Sequence, residues 1–221
     1  MNYSNRFMLL TAVFIASLIT ANVVVIKFIS LGPFYLPAAV IIFPVIYILG
    51  DIFTEVYGYE RARAVIWLSF LCNLIFVFFA WLVQILPAAP FWNEQAAYEV
   101  ILGHTPRILA ASFVGSLAGQ FSNSVILAKV KVLTKGRFLW VRTISSTIVG
   151  EFLDSAVFLF MAFAGTDFFV PVIILYHSAT KILIEILATP LTYLAINYLK
   201  KKEKLDTYDE KANFNPFRFN T

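Results

Sequence analysis

The segment AVIWLSFLCNLIFVFFAWLVQIL, residues 64–86, contains no charged side chain. A helix that crosses a lipid bilayer needs about 20 predominantly apolar residues, so this segment by itself predicts a transmembrane helix. Its apolar residues form one continuous run and do not alternate with polar residues, which argues against a lipid-facing β-barrel. The segment therefore indicates a protein built from membrane-spanning helices.

The rest of the chain repeats this pattern. Of its 221 residues, 60% are hydrophobic and 14% are charged, against about 45–50% and about 25% in soluble domains. An all-α integral membrane protein with a six-transmembrane-helix bundle is the predicted fold, and residues 1–199 form its single domain, followed by a basic cytoplasmic tail at 200–221. The predicted spans are residues 7–29, 35–55, 64–86, 107–128, 143–164 and 170–199.

The distribution of Lys and Arg predicts the orientation, because cytoplasmic loops of membrane proteins are enriched in these residues. The loops that the predicted spans place on one side carry, together with both termini, 14 of the 17 basic residues. Both termini are therefore predicted to be cytoplasmic, in a multi-pass protein of the bacterial inner membrane. We interpret the basic loop and tail residues as topology signals that contact anionic lipid, and no nucleic-acid partner is indicated.

Several kinds of chemistry are disfavoured by missing motifs. A lone cysteine, Cys72, and two histidines make a disulfide, a metal site or a bound cofactor improbable. The chain has no phosphate-binding loop and no hydrolase motif, so we expect no enzyme activity and no ATPase within the chain. Transport of a small molecule fits best, and the alternatives are an intramembrane enzyme that uses Glu151 and Asp154 or a transporter of another small polar metabolite.

Polar side chains recur at helical spacing within the last three predicted spans. An ionisable group at mid-membrane costs about 2.5–3.5 kcal/mol on insertion scales, so such residues are candidates for function. Because each set falls on one face of its helix, we expect the three faces to meet around one site. The sets are Ser112, Ser116, Gln120 and Asn123; Thr147, Glu151, Asp154 and Phe158; and His177, Lys181 and Glu185.

The charges in these sets do not balance. Three carboxylates, Glu151, Asp154 and Glu185, accompany one cation, Lys181. One hypothesis is a structural ion-pair network that joins two helices; the other is a binding site whose surplus carboxylates take up substrate or a proton. Under the second hypothesis transport is either coupled to protons or a facilitated diffusion, and the sequence leaves both open.

Two further features have two interpretations each. Asp51 and Glu55 end the second predicted span and are either a solvated helix end or candidates for gating or proton coupling. His177 is another candidate for gating or proton coupling. The G-x-x-x-G step at Gly115 and Gly119 permits close helix packing, either within the chain or in a homodimer.

Four stretches of the chain resemble a known family. They are FPVIYILGDIFTEVYGYERAR (43–63), ASFVGSLAGQFSN (111–123), SSTIVGEFLDSAVF (145–158) and the region around Lys181. Together they are similar to the queuosine precursor transporter family, also called the vitamin uptake transporter family, in order and over nearly the whole chain. The resemblance implies import of 7-deazaguanine precursors of queuosine (preQ0, preQ1 or queuine) without an obligatory ATPase subunit. It matches this chain's Asp51, Gln120, Glu151, Asp154 and Lys181 to polar residues of the family.

A 7-deazaguanine suggests roles for these residues. Its N1–H and exocyclic amine are adjacent donors, so Glu151 or Asp154 is expected to accept from both, while Lys181 or Gln120 donates to O6. Aromatic rings would stack on the base, and the candidates are Phe43, Tyr47, Phe158 and Tyr176. The predicted substrate-binding residues are Asn22, Gln120, Asn123, Glu151, Asp154, Lys181 and Glu185.

Overall fold

The structure is a computed structural model that describes residues 4–31, 34–103, 106–165 and 172–218. It consists of helices and one small β-hairpin. In chain order the elements are α1 (Asn5–Val24), β1 (Phe28–Leu31), β2 (Phe34–Pro37), α2 (Phe43–Ile52), α3 (Tyr59–Ile85), α4 (Gln95–Leu102), α5 (Pro106–Leu133), α6 (Leu139–Phe163) and α7 (Val172–Glu203).

Within the described residues, four helices are long and apolar enough to cross a membrane. They are Asn5–Val24, Tyr59–Ile85, Leu139–Ala162 and Ser178–Glu203, with mean hydropathies of 2.2, 2.3, 1.5 and 1.6. Helix α5 is also 28 residues long, but its Gly, Ser, Gln and Asn residues make it more polar than these four. The prediction of a membrane helical bundle is confirmed at this level.

The predicted second span, 35–55, is wrong as a single helix. The chain instead forms the antiparallel hairpin of β1 and β2 and a short 3₁₀ turn at Ala38–Ile41. Helix α2 follows and extends through a π-helical turn, Phe53–Tyr57. Hydropathy could not reveal this break, because buried strands and buried helices share the same apolar composition.

Gly58 ends the π-helical turn and allows α3 to begin directly after it. Its φ of +89° lies in a region that side chains rarely adopt, and a Cβ there would lie 2.6 Å from the Thr207 side chain. Next to this turn, the rings of Phe7, Phe53 and Tyr57 pack edge-on, with centroids 5.6 Å and 4.9 Å from that of Phe7. These contacts hold α1 against the end of α2.

Helices α5 and α6 approach each other closely at their glycines. A Cβ on Gly119 would lie 2.7 Å from Asp154 Cβ and 2.9 Å from the Gly150 carbonyl oxygen, and a Cβ on Gly115 would lie 2.9 Å from the Asp154 carbonyl oxygen. The G-x-x-x-G step is therefore used within the chain. Both glycines pack against α6, and the alternative of a homodimer through them stays a prediction.

A single methyl group at Gly119 is expected to destabilise the protein. Gly119→Ala raises helix propensity, but it forces α5 and α6 apart, and such overpacking costs about 1–3 kcal/mol. The matched control is Gly50→Ala in α2, where a Cβ meets nothing within 4 Å. Thermal unfolding of the detergent-purified variants measures the difference, and equal midpoints for the two variants would contradict this packing.

The C-terminal segment folds back onto the bundle. Helix α7 continues to Glu203, beyond the predicted domain boundary at 199, and residues 204–218 then pass along α3. The Tyr59 backbone N–H donates to both carboxylate oxygens of Asp209 at 3.1 and 3.0 Å. Farther along, the Trp67 indole N–H donates to the Pro216 carbonyl at 2.7 Å.

Candidate functional site

A cavity of about 300 Å³ lies between α1, α2, α3, α5, α6 and α7. The α5 face and the α6 face that the sequence predicted both line it in full. Of the predicted substrate-binding residues, the structure places six on its wall: Asn22, Gln120, Asn123, Glu151, Asp154 and Lys181. The helical spacing of the polar residues therefore identified side chains that the fold brings together.

Lys181 links the two carboxylates of α6. Its ammonium nitrogen donates to Asp154 and lies 3.0 Å from Glu151 Oε2. It also lies 5.3 Å from the centre of the Phe43 ring. The contact with Asp154 is a hydrogen bond, whereas Glu151 Oε2 accepts no hydrogen bond among the described residues, so its contact with the ammonium is an ion pair. These contacts hold the Lys181 side chain of α7 against α6 and α2.

Asp51 occupies another part of the cavity wall and has a different environment. The Asn123 side-chain amide donates to Asp51 Oδ1 at 3.0 Å. Asp51 Oδ2, Asn123 Oδ1 and Gln120 Oε1 are buried and have no hydrogen-bond partner among the described residues. This part of the wall thus presents several acceptor oxygens to the interior.

An amide pair joins α1 to α3, and only its α3 member, Asn73, was not predicted from the sequence. The Asn22 side chain donates to Asn73 Oδ1 at 2.7 Å, and Asn73 donates to the Ser69 carbonyl at 3.0 Å. Both asparagines line the cavity. Asn73 lies in the middle of a predominantly apolar predicted span, and an intramembrane amide was the signal that could have identified it.

Aromatic side chains form part of the cavity wall. Phe43 and Tyr47 stack with ring centroids 5.9 Å apart and an interplanar angle of 28°, and both line the cavity together with Phe158. Three of the four aromatic candidates are therefore at the site. The fourth, Tyr176, lies outside the residues whose side chains are described, as does the gating candidate His177.

Glu185 is buried but does not line the cavity. Its side chain is 1% exposed, and its Oε2 has no hydrogen-bond partner in the described part of the chain. The expectation that Glu185 belongs to the same wall as Lys181 is corrected. Glu185 lies four positions after Lys181 on α7, and the cavity ends between them.

Glu55 is neither a solvated helix end nor part of the cavity. It is fully buried, and Arg142 binds both of its carboxylate oxygens, with N–O distances of 2.8 and 2.7 Å. Lys200 donates to Glu55 Oε1 at 2.5 Å, and the Lys131 ammonium lies 3.4 Å from the same oxygen. The structure thus collects one carboxylate and three cations from four elements.

This cluster corrects the interpretation of two of the basic loop residues, Lys131 and Arg142, as lipid contacts. Lys131 and Arg142 are only 1% and 2% exposed. Lys131 also donates to Asp206 at 2.5 Å, and Lys200 lies 2.9 Å from the same carboxylate. Burial alone would raise the pKa of Asp206, but the hydrogen bonds from Lys131 and Lys200 outweigh that effect and hold it below its usual range.

The described residues were compared with the side-chain groups that bind metal ions in proteins. Within the described residues, no group of three His, Cys, Asp or Glu side chains is arranged to hold a metal ion. The polar groups of the cavity are carboxylates, amides, hydroxyls and one ammonium. Such a set can bind a small polar molecule by hydrogen bonds and charge.

Comparison of the sequence with known proteins assigns the chain to a family. The family model described as "Putative vitamin uptake transporter" matches residues 37–195, which include every cavity residue on α2, α3, α5, α6 and α7. The chain belongs to the vitamin uptake transporter family. It is also 25% identical, over 190 residues, to the "Probable queuosine precursor transporter" of Bacillus subtilis (strain 168), covering 84% of this chain and 82% of that protein. No solved structure matches the chain significantly.

Membership of the vitamin uptake transporter family makes this chain a multi-pass membrane protein that acts on a small molecule. The family and the Bacillus relative are transporters by name. The long apolar helices of the structure agree with this class of protein. The cavity between these helices is therefore the candidate site for the transported molecule.

Proposed function

We propose that the protein imports a 7-deazaguanine precursor of queuosine across the bacterial inner membrane. The observation that supports this best is the position of the residues matched to the family. Asp51, Gln120, Glu151, Asp154 and Lys181 come from four helices, and all of them line one cavity. The Bacillus relative, named as a queuosine precursor transporter, aligns with most of the same chain.

The cavity suits a planar polar base in size and chemistry. Small-molecule sites usually enclose about 300–1,000 Å³ and combine apolar walls with a few placed polar groups, and this cavity of about 300 Å³ has that composition. The stacked Phe43 and Tyr47 rings offer an aromatic face, and a base stacked on such a face gains about 1–3 kcal/mol. Carboxylate and amide oxygens complement the N–H donors of a deazaguanine.

The proposed topology has six membrane-embedded segments with both termini in the cytoplasm, so that residues 200–221 lie on that side. Helix α2 and its π-helical turn together span residues 43–57, which at 1.5 Å per residue reach about 22 Å and not the full hydrocarbon thickness of about 30 Å. The hairpin completes this segment. Such broken segments are tolerated in a membrane where they line a cavity, and transporters use them at substrate sites.

Restoration of queuosine in tRNA tests the proposal. A bacterium that lacks both precursor synthesis and its own importer should regain queuosine when it expresses this protein and receives the correct precursor. Gel retardation of queuosine-containing tRNA measures the outcome, and separate feeding of preQ0, preQ1 and queuine identifies which one is carried. If none restores retardation while the protein is present in the membrane fraction, the transport proposal fails and an intramembrane enzyme becomes the better hypothesis.

A further inference from the structure

The hydrogen-bonding groups of the cavity fall into two unequal parts. On one side, the single cation Lys181 forms ion pairs with both Glu151 and Asp154, and Glu151 Oε2, 3.0 Å from the ammonium, is the one oxygen of this pair that is buried without a hydrogen bond among the described residues. On the other side, three buried oxygens, Asp51 Oδ2, Asn123 Oδ1 and Gln120 Oε1, have no donor among the described residues. A buried acceptor that stays unpaired costs free energy, so native structures satisfy nearly all of them. The second part is therefore the one that a ligand with N–H donors would complete.

The geometry keeps these acceptors together. Asn123 and Gln120 are three residues apart on α5 and thus neighbours on one helical face. The Asn123 amide donates to Asp51 Oδ1, so these two side chains lie next to each other in the cavity wall. The π-helical turn that follows α2 adds a second anchor, since Thr54 donates to the Ser124 hydroxyl at 3.1 Å and holds α2 to α5.

Charge sets Asp51 apart from the other cavity carboxylates. Its side chain is 1% exposed, and no Lys, Arg or His in the described part of the chain lies within 4.0 Å of it. An isolated buried carboxylate is costly. Two parallel N–H bonds from a ligand would stabilise its charge, as a guanidinium does in a bidentate pair.

We propose that Asp51, with Asn123 and Gln120, is the element that reads the donor edge of the transported base. Asp51 accepts from the ring N–H and the exocyclic amine, and the two amide oxygens accept the remaining amine hydrogen. Glu151 and Asp154 hold Lys181 in place and do not read this edge. The inference rests on the proposed function and replaces the sequence-based expectation that Glu151 or Asp154 contacts the donors.

Binding of two bases to purified protein tests the assignment. The probes are a 7-deazaguanine and the matching 7-deazahypoxanthine, which lacks the exocyclic amine. Asp51→Asn keeps the acceptor for Asn123 but presents an N–H to the ligand. The variant should lower the affinity for the guanine-type base about 100-fold. Hydrogen bonds to a charged group are worth about 1.5–3 kcal/mol, and a tenfold change in affinity corresponds to 1.4 kcal/mol. The affinity for the 7-deazahypoxanthine should fall about tenfold or less.

Gln120→Met provides a variant that separates binding from folding. It removes an unpaired buried oxygen while conserving shape, so thermal stability should not fall, yet affinity for the guanine-type base should drop several-fold. Asp154→Asn serves as the comparison and should lower the affinity for both bases equally. If wild-type protein binds the base but Asp51→Asn weakens both ligands alike, or neither, the assignment is wrong while the proposed function stands. If wild-type protein binds neither base, the proposed function itself fails.

Discussion

Glu55→Gln is expected to cause the largest loss of stability of any single charge removal in this protein. The substitution keeps the side chain's shape but leaves the buried Arg142 without an ion-pair partner among the described residues, whereas Lys131 and Lys200 keep Asp206. Breaking a buried ion pair by removing one partner typically costs about 3–5 kcal/mol, because the remaining charge stays buried without compensation. The melting temperature in detergent and the yield of folded protein in membranes measure this effect.

The control for Glu55→Gln is the pair between Arg6 and Glu203. Its N–O distance is 3.2 Å, but the Arg6 side chain is half exposed. Exposed pairs contribute about 0–1 kcal/mol, so Arg6→Gln should leave the melting temperature nearly unchanged. A Glu55→Gln variant as stable as Arg6→Gln would show that the buried cluster contributes little to the fold.

Lys181→Met is expected to abolish transport. It leaves the carboxylates of Glu151 and Asp154 facing each other without the cation that now lies between them. Repulsion and desolvation in a membrane-embedded site then disturb the cavity wall. Queuosine restoration in tRNA should fall to background, whereas Lys181→Arg, which retains the charge, should keep part of the activity.

A triple variant decides between the structural and the functional interpretation of this network. Lys181→Met combined with Glu151→Gln and Asp154→Asn removes all three charges together, so the fold should recover most of its stability. We expect the protein to reach the membrane in normal amounts and still fail to restore queuosine. Normal restoration by the triple variant would mean that the network only joins α6 to α7.

The polar faces of α5 and α6 show how much of the site could be predicted. Gln120, Asn123, Glu151 and Asp154 were identified because helical periodicity alone determines which side chains share a face. Glu185 shows the limit of that reasoning. Glu185 and Lys181 lie at helical spacing on the same face of α7. Whether a residue on that face reaches the cavity depends on where the neighbouring helices end, and helical periodicity carries no information about that.

The basic residues show a second limit. Lys131 and Arg142 follow apolar spans, as topology signals do, and their sequence positions are fully explained by that role. Their burial against Glu55 depends on contacts across 76 and 87 residues of chain. Hydropathy patterns contain no information about such pairings, because a buried and an exposed lysine look the same in sequence.

The sequence by itself determined that this chain is a membrane helical bundle of a transporter family. Long apolar runs cannot be buried in a soluble core of this size, and helical spacing collects the polar groups on a few faces. Only the tertiary structure decided that a strand of the hairpin and a 3₁₀ turn replace the first third of the second predicted span, that Glu55 is enclosed by three cations, and that no cation among the described residues lies within 4.0 Å of Asp51. These features depend on which distant segments meet, and the free energy of a buried charge is set by its neighbours in space, not by those in sequence.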